Sequence, residues 1–313
     1  MGRILAGILA LAIISSLLLT SCAKKNAQTG DTAKMEQKLK DFIKKYEEKV
    51  KPITIAQCDA YFKASLNSNE AAWKIVTGYD KQYNAILSNK DDFKTLKEIK
   101  ESNAIQDPIL QRELKLLYNE YLSKQADTNK INKLSEMTAN IELKYSNFRA
   151  KVGKKQLSDN DVEDILKNST NNEEMKATWM AHKEIGPVVA QDIIAIVKLR
   201  NEVARELGFK NYHEMSLTLS DQDPKEIDNL FNELDVLTKN AFAQVKKEMD
   251  VVLAKKANIT PDQLMPWNYQ NRFFQEAPQI YDLDLSKYYK GKDIVKLTSD
   301  YFKSLNLPID DMI

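Results

Sequence analysis

Histidine and cysteine are nearly missing from this chain, with two of each in 313 residues. The shortage of histidine bears first on metal chemistry. A catalytic zinc usually takes three protein ligands and keeps a further position open for water. The stretch "KNYHEMSL", residues 210 to 217, begins like the H-E-x-x-H signature with His213 and Glu214, but its fifth position is Leu217. That signature works because positions i and i+4 share one helical face, so two imidazoles grip one Zn²⁺ while the intervening Glu acts as general base. Leucine has no lone pair to give, and the other histidine, His182, lies far outside that spacing. His213 and Glu214 therefore read as a chance pair in a short helix after a stop at Gly208, and no metal ligand is assigned.

Other scarcities narrow the fold and the partners. Glycine and proline number eight each, and no run of period-two alternation bounded by turns stands out, which argues against a sheet-rich fold. Net charge is +1 with acids and bases interspersed, so no basic stripe points to nucleic acid. No fixed-period repeat is visible, which disfavours a solenoid.

The N-terminal stretch reads as a targeting segment and is set aside from fold reasoning. Arg3 supplies a positive start, "ILAGILALAIISSLLL" an apolar run that is short for a membrane span, and "LTSC" ends it at Cys22. Small residues before a cysteine resemble the bacterial lipobox, in which that cysteine is lipidated and becomes the new N-terminus. Residues 1–21 are thus expected to be a lipoprotein signal peptide, Cys22 the lipid-attachment site, and 22–32 a polar tether. Residue 23 is alanine rather than the aspartate that retains many lipoproteins at an inner membrane. The expected location is the bacterial cell envelope, at the outer membrane or cell surface. With Cys22 occupied, Cys58 has no intramolecular disulfide partner; in "TIAQCDAYF" it reads as a small buried hydrophobe.

Residues 33–313 read as a large all-α domain. The spacing predicts helices over roughly 33–50, 54–87, 91–102, 130–151, 160–168 and 292–305. Asp107 and Asp223 are placed to cap helices whose first residues are Pro108 and Pro224, where proline's missing N–H costs nothing. After Pro224, apolar residues from Ile227 to Leu253 step by three and four along one stripe, expected to face inward, to about Ala257. Gly186-Pro187 is expected to interrupt a helix, with Pro187 opening the next and Gly208 stopping it.

Three segments carry more than periodicity: "WMAHKEIGPVVAQDIIAIVKLRNEVARELGFKNYHEMSL" from Trp179, "LFNELDVLTKNAFAQVKKEMD" at 230–250, and "QLMPWNYQNRFFQEAP" at 263–278 followed by "DIVKLTSDYFKSLNLPIDDM". Together they resemble the N-terminal half of the angiotensin-converting-enzyme family, the peptidyl-dipeptidase A zinc metallopeptidases, over about residues 172–313. The resemblance implies an almost wholly helical peptidase split by a deep cleft, dependent on zinc, that removes dipeptides from peptide C-termini. In the family the H-E-x-x-H helix and the downstream glutamate ligand lie C-terminal to everything quoted. The chain is therefore expected to correspond to the N-terminal part of a cleft-bearing peptidase, to bind no zinc and to be inactive by itself, with a separately encoded C-terminal half as one conceivable partner. The alternative is a non-enzymatic helical surface lipoprotein that binds peptides or a partner protein.

No catalytic residue is assigned. Trp267, Tyr269, Gln270 and Arg272, with Phe273 and Phe274 after them, are candidates for the wall of a peptide-binding cleft; a surface turn whose aromatics pack between helices is the competing reading. Arg200, Asn201, Glu202 and Arg205 read as an ion-pair face. Asp282 and Asp284 offer calcium too few ligands.

Overall fold

The computed structural model describes residues 2–281 and 283–311, with side chains from Asp31 onward. The signal segment 1–21, the lipid-attachment residue Cys22, most of the tether and Asp282 lie outside the described side chains. The elements are α1 (Gly2–Leu66), α2 (Glu70–Leu87), α3 (Lys90–Ser102), α4 (Pro108–Leu122), α5 (Thr128–Asn147), β1 (Ala150–Val152), β2 (Lys155–Leu157), α6 (Asp159–Asn168), α7 (Asn172–Lys183), α8 (Ile185–Glu206), α9 (Tyr212–Leu219), α10 (Pro224–Ala257) and α11 (Ile294–Ser304). The fold is all-α apart from one β1–β2 hairpin. Among the described residues no helix is long and apolar enough to cross a membrane.

Side chains set most helix starts. Asp107 Oδ1 accepts from the amides of Ile109 (2.8 Å) and Leu110 (3.2 Å). Asp223 Oδ1 does the same for Lys225 (2.8 Å) and Glu226 (2.9 Å). Both aspartates satisfy amides that a helix leaves without intrahelical partners, as their place before a proline predicts. Asn89 caps α3 in the same way, and Ser158 with Asp161 forms a reciprocal capping box on α6.

Three boundaries differ from the periodicity. The break expected between residues 50 and 54 is absent, because α1 runs through Pro52. It persists because its later turns are packed: Ala60 and Ala64 sit in a cluster with Trp73, Val76 and Ala139. The true break falls at residues 67–69, where the Asn69 side chain accepts from the Ala72 amide at 3.0 Å and restarts the helix. The helix expected over 130–151 ends at Asn147, and Gly153, with φ +60°, turns the chain into the hairpin. Three-residue strands are too short for an alternation to register. The break near Gly186-Pro187 falls at Glu184, so Pro187 lies in the first turn of α8, where no amide hydrogen bond is lost.

The chain divides into two compact units, Met1–Ala150 with His182–Asn240, and Lys151–Ala181 with Ala241–Ile313. The main core of the first joins α1 to α4 through Leu39, Leu87, Leu96, Ile99, Leu114 and Tyr121. Against it, Glu120 accepts hydrogen bonds from the Tyr46 hydroxyl (2.9 Å) and from Tyr83. Burial, reinforced by the Glu120 carboxylate, pushes the Tyr83 phenol up to about 12. These phenols stay protonated and serve as donors that satisfy a carboxylate.

Asp221, just after α9 in the left-handed region (φ 63°), is bound by Lys115 and Arg112 of α4. Those hydrogen bonds hold its carboxyl below the ordinary 3.8. A lowered folded-state value means the contribution to stability is complete above the unfolded value and is lost as pH falls through the folded one. Asp221→Asn keeps a side chain that tolerates positive φ but removes the charge. Urea titrations at about pH 7 and about pH 3 should show the variant less stable at the higher pH, with a smaller gap at the lower. An equal gap at both would contradict the assignment.

The stripe of α10 is the largest departure. Leu230, Phe231, Leu234, Leu237, Phe242 and Val245 are exposed, and only Leu253, Ala254 and Ala257 of this helix are buried. Periodicity reports that a helix has an apolar face, and it does not report what stands opposite. Cys58 is likewise exposed rather than buried.

Candidate functional site

The segment after α10 folds as a chain of tight turns. Thr260 and Gln263 cap the 3₁₀ turn Pro261–Gln263, and a second 3₁₀ turn covers Pro266–Asn268. Asn271 (φ 72°) and Phe274 (φ 57°) both take left-handed backbone. Asparagine adopts that region readily and phenylalanine does not, so Phe274 is held there against its own preference.

The four candidate residues divide by role. Trp267 is buried; its indole N–H donates to Asn172 Oδ1 at 3.0 Å, and Asn268 donates to the same oxygen at 2.9 Å. The Trp267 ring lies tilted against Trp179 with centroids 6.2 Å apart. Arg272 is also mostly buried and pairs with Asp159 (2.6 Å) and Glu163 (2.8 Å) of α6. Both therefore anchor the turn segment. Tyr269 and Gln270 instead line a cavity of about 520 Å³, bounded also by Phe242, Lys246 and Met249 of α10 and by Phe274.

Two residues that sequence reasoning passed over fix this wall: Lys246 lines it, and Asp250 holds Lys246 and Tyr269 in place. Lys246 and Asp250 pair at 2.8 Å one turn apart on α10. The Tyr269 hydroxyl donates to Asp250 Oδ1 at 2.7 Å and accepts from Lys246 Nζ at 2.9 Å. The K-x-x-x-D spacing within "VKKEMD" was the available signal. Hydrogen bonds to Asp250 and Tyr269 hold the Lys246 ammonium above its ordinary range, and burial raises the Tyr269 phenol. Neither group is poised as a base near neutral pH. The wall is largely apolar, with the Lys246 ammonium, the Tyr269 phenol, the carboxamides of Gln270 and Gln275 and the Glu276 carboxylate set into it, which suits it to hold a chain of mixed polarity.

The remaining candidates sit apart from this wall. Of the expected ion-pair face only Glu202 pairs, with Lys130 of α5 at 3.7 Å, and Lys130 also reaches Glu206 of α8; Arg200 instead stacks over the Tyr212 ring. Asp284 accepts from the Ser286 amide at 2.9 Å, a local turn contact. His182 is buried at the end of α7, and His213 is exposed in the first turn of α9 with Leu217 one turn on. Among the described residues no three His, Cys, Asp or Glu side chains converge where they could hold a metal ion. These residues do not fit a zinc cage.

No curated protein matches the chain. The family model described as angiotensin-converting enzyme, peptidase family M2, matches residues 33–309. That span reaches well upstream of residue 172, where the resemblance in sequence began, and takes in both compact units. An all-α chain matched over nearly its whole described length belongs to the angiotensin-converting-enzyme family of peptidases.

Proposed function

We propose that this chain is the N-terminal portion of a lipid-anchored zinc metallopeptidase of peptidyl-dipeptidase type, contributing cleft wall rather than metal chemistry. The observation that carries the reading is the family match over residues 33–309. In this reading Tyr269 and Gln270 face an extended peptide across the apolar cavity, Lys246 and Asp250 fix the phenol, and Trp267 and Arg272 hold the segment that presents them. The zinc, its ligands and the general base are supplied by sequence beyond these 313 residues or by a second chain. The lipid on Cys22 places the protein in the cell envelope.

The purified 313-residue chain is expected to hold no stoichiometric zinc and to release no dipeptide from a blocked tripeptide. Metal content by atomic emission and product analysis by chromatography check both. Stoichiometric zinc together with hydrolysis that disappears in His182→Ala or His213→Ala would overturn the reading. Coding DNA past the Ile313 codon should contain an H-E-x-x-H frame. A natural stop with no such frame nearby would favour the non-enzymatic surface lipoprotein.

A further inference from the structure

A second cavity lies wholly within the first compact unit, remote in sequence from the segment at 266–278. Its volume is about 310 Å³. Ile131, Leu134, Val203 and Met215 give it apolar walls, and Lys124, Arg200, Asp80, Ser135 and Tyr212 also face it.

The cations are its distinctive feature. Lys124, just past α4, is partly buried, and among the described residues no carboxylate lies within ion-pairing distance of its ammonium. Asp80 and Glu120 act on it only from farther away, while burial pushes it below the ordinary lysine range. Glu120 is already engaged by the hydroxyls of Tyr46 and Tyr83. Arg200 has no carboxylate partner among the described residues either; its guanidinium stacks over the Tyr212 ring at 5.1 Å. Asp80 is hydrogen-bonded by Gln57, and burial raises its carboxyl. Ser135 accepts from Asn84 at 3.3 Å, which leaves its own O–H to donate. With Lys124 and Arg200 positive and Asp80 negative, the cavity carries one net positive charge next to an apolar lining. An ammonium largely withdrawn from water without a charged partner is costly, and an anion beside it offsets part of that cost.

We propose that this cavity binds a short aliphatic monocarboxylate. The carboxylate sits between Lys124 and Arg200, with Ser135 or Tyr212 donating to it, and the alkyl body lies against Ile131, Leu134, Val203 and Met215. A monoanion matches the net charge. The apolar walls select for an alkyl body, which inorganic anions lack. This binding site is independent of the peptidase reading.

Calorimetry of the full chain with hexanoate tests it. Hexanoate should bind saturably, with hexylamine, hexanol and inorganic phosphate showing no comparable binding. Lys124→Met and Arg200→Gln should each weaken hexanoate by about tenfold, the scale of one lost charge-assisted hydrogen bond. Asp80→Asn should tighten it, because the cavity then carries a further unit of positive charge. Circular dichroism confirms that each variant is folded. If Lys124→Met is not, the opposed responses of Arg200→Gln and Asp80→Asn decide the question. No saturable hexanoate binding, equal binding of hexylamine or phosphate, or unchanged affinity in the folded variants would overturn the proposal.

Discussion

Trp267→Ala is expected to destabilise the protein by about 3–5 kcal/mol, the range for deleting a large buried aromatic side chain. The indole is 8 % exposed, tilts against Trp179 at 6.2 Å and bonds Asn172 at 3.0 Å. The Lys176 ammonium stands 5.7 Å from the ring centroid. Truncation to alanine leaves a cavity and removes the donor at once. Trp267→Phe separates the two effects. It keeps most of the ring area and loses the N–H, while Asn172 Oδ1 retains Asn268 as a donor at 2.9 Å. Its cost should therefore fall nearer to about 1 kcal/mol. Urea unfolding followed by far-ultraviolet circular dichroism measures both. If Trp267→Ala stayed within about 0.5 kcal/mol of the parent, this tryptophan would not be the anchor described.

The second large effect concerns the membrane. Cys22→Ser should move the protein from the membrane fraction to the soluble fraction of cells expressing the full chain. Each buried CH₂ contributes about 0.8 kcal/mol, and a single myristoyl chain gives only marginal anchoring. The lipoprotein modification adds more than one acyl chain, so its loss removes far more than any polar contact could restore. Residues 33–50 carry many lysines and glutamates and offer no substitute anchor. An unchanged membrane fraction for a Cys22→Ser protein that has nonetheless lost residues 1–21 would refute lipidation at Cys22. Extraction of the parent protein by detergent but not by high salt would separate acyl anchoring from surface charge.

The helices were legible because their signals are local. A cap, a proline at the first position and a terminating glycine act within a few residues, and Asp107-Pro108, Asp223-Pro224 and Gly208 all fell where the chemistry placed them. Pro52 misled because its penalty is local while its compensation, the packing of Ala60 and Ala64 on Trp73, comes from another helix. The candidate wall was half legible. Its aromatic and polar cluster stood out at 267–274, but the division of labour within it did not. Arg272 looked like a group awaiting a ligand until α6 supplied Asp159 and Glu163. Trp267 finds its acceptor 95 residues away. The family match upstream of residue 172 was hidden for a related reason, since helical pattern alone does not distinguish one all-α protein from another.

By itself the sequence determined the helical class, most helix starts, the absence of an H-E-x-x-H pair and the family that residues 172–313 resemble. The first three follow from spacing and side-chain chemistry that operate over one or two turns, and the family follows from the likeness of whole segments. Only the tertiary structure decided which aromatics anchor and which line a cavity, which cations find carboxylates, and that the α10 stripe faces outward. Those outcomes depend on what a distant part of the chain brings to the other side of a contact.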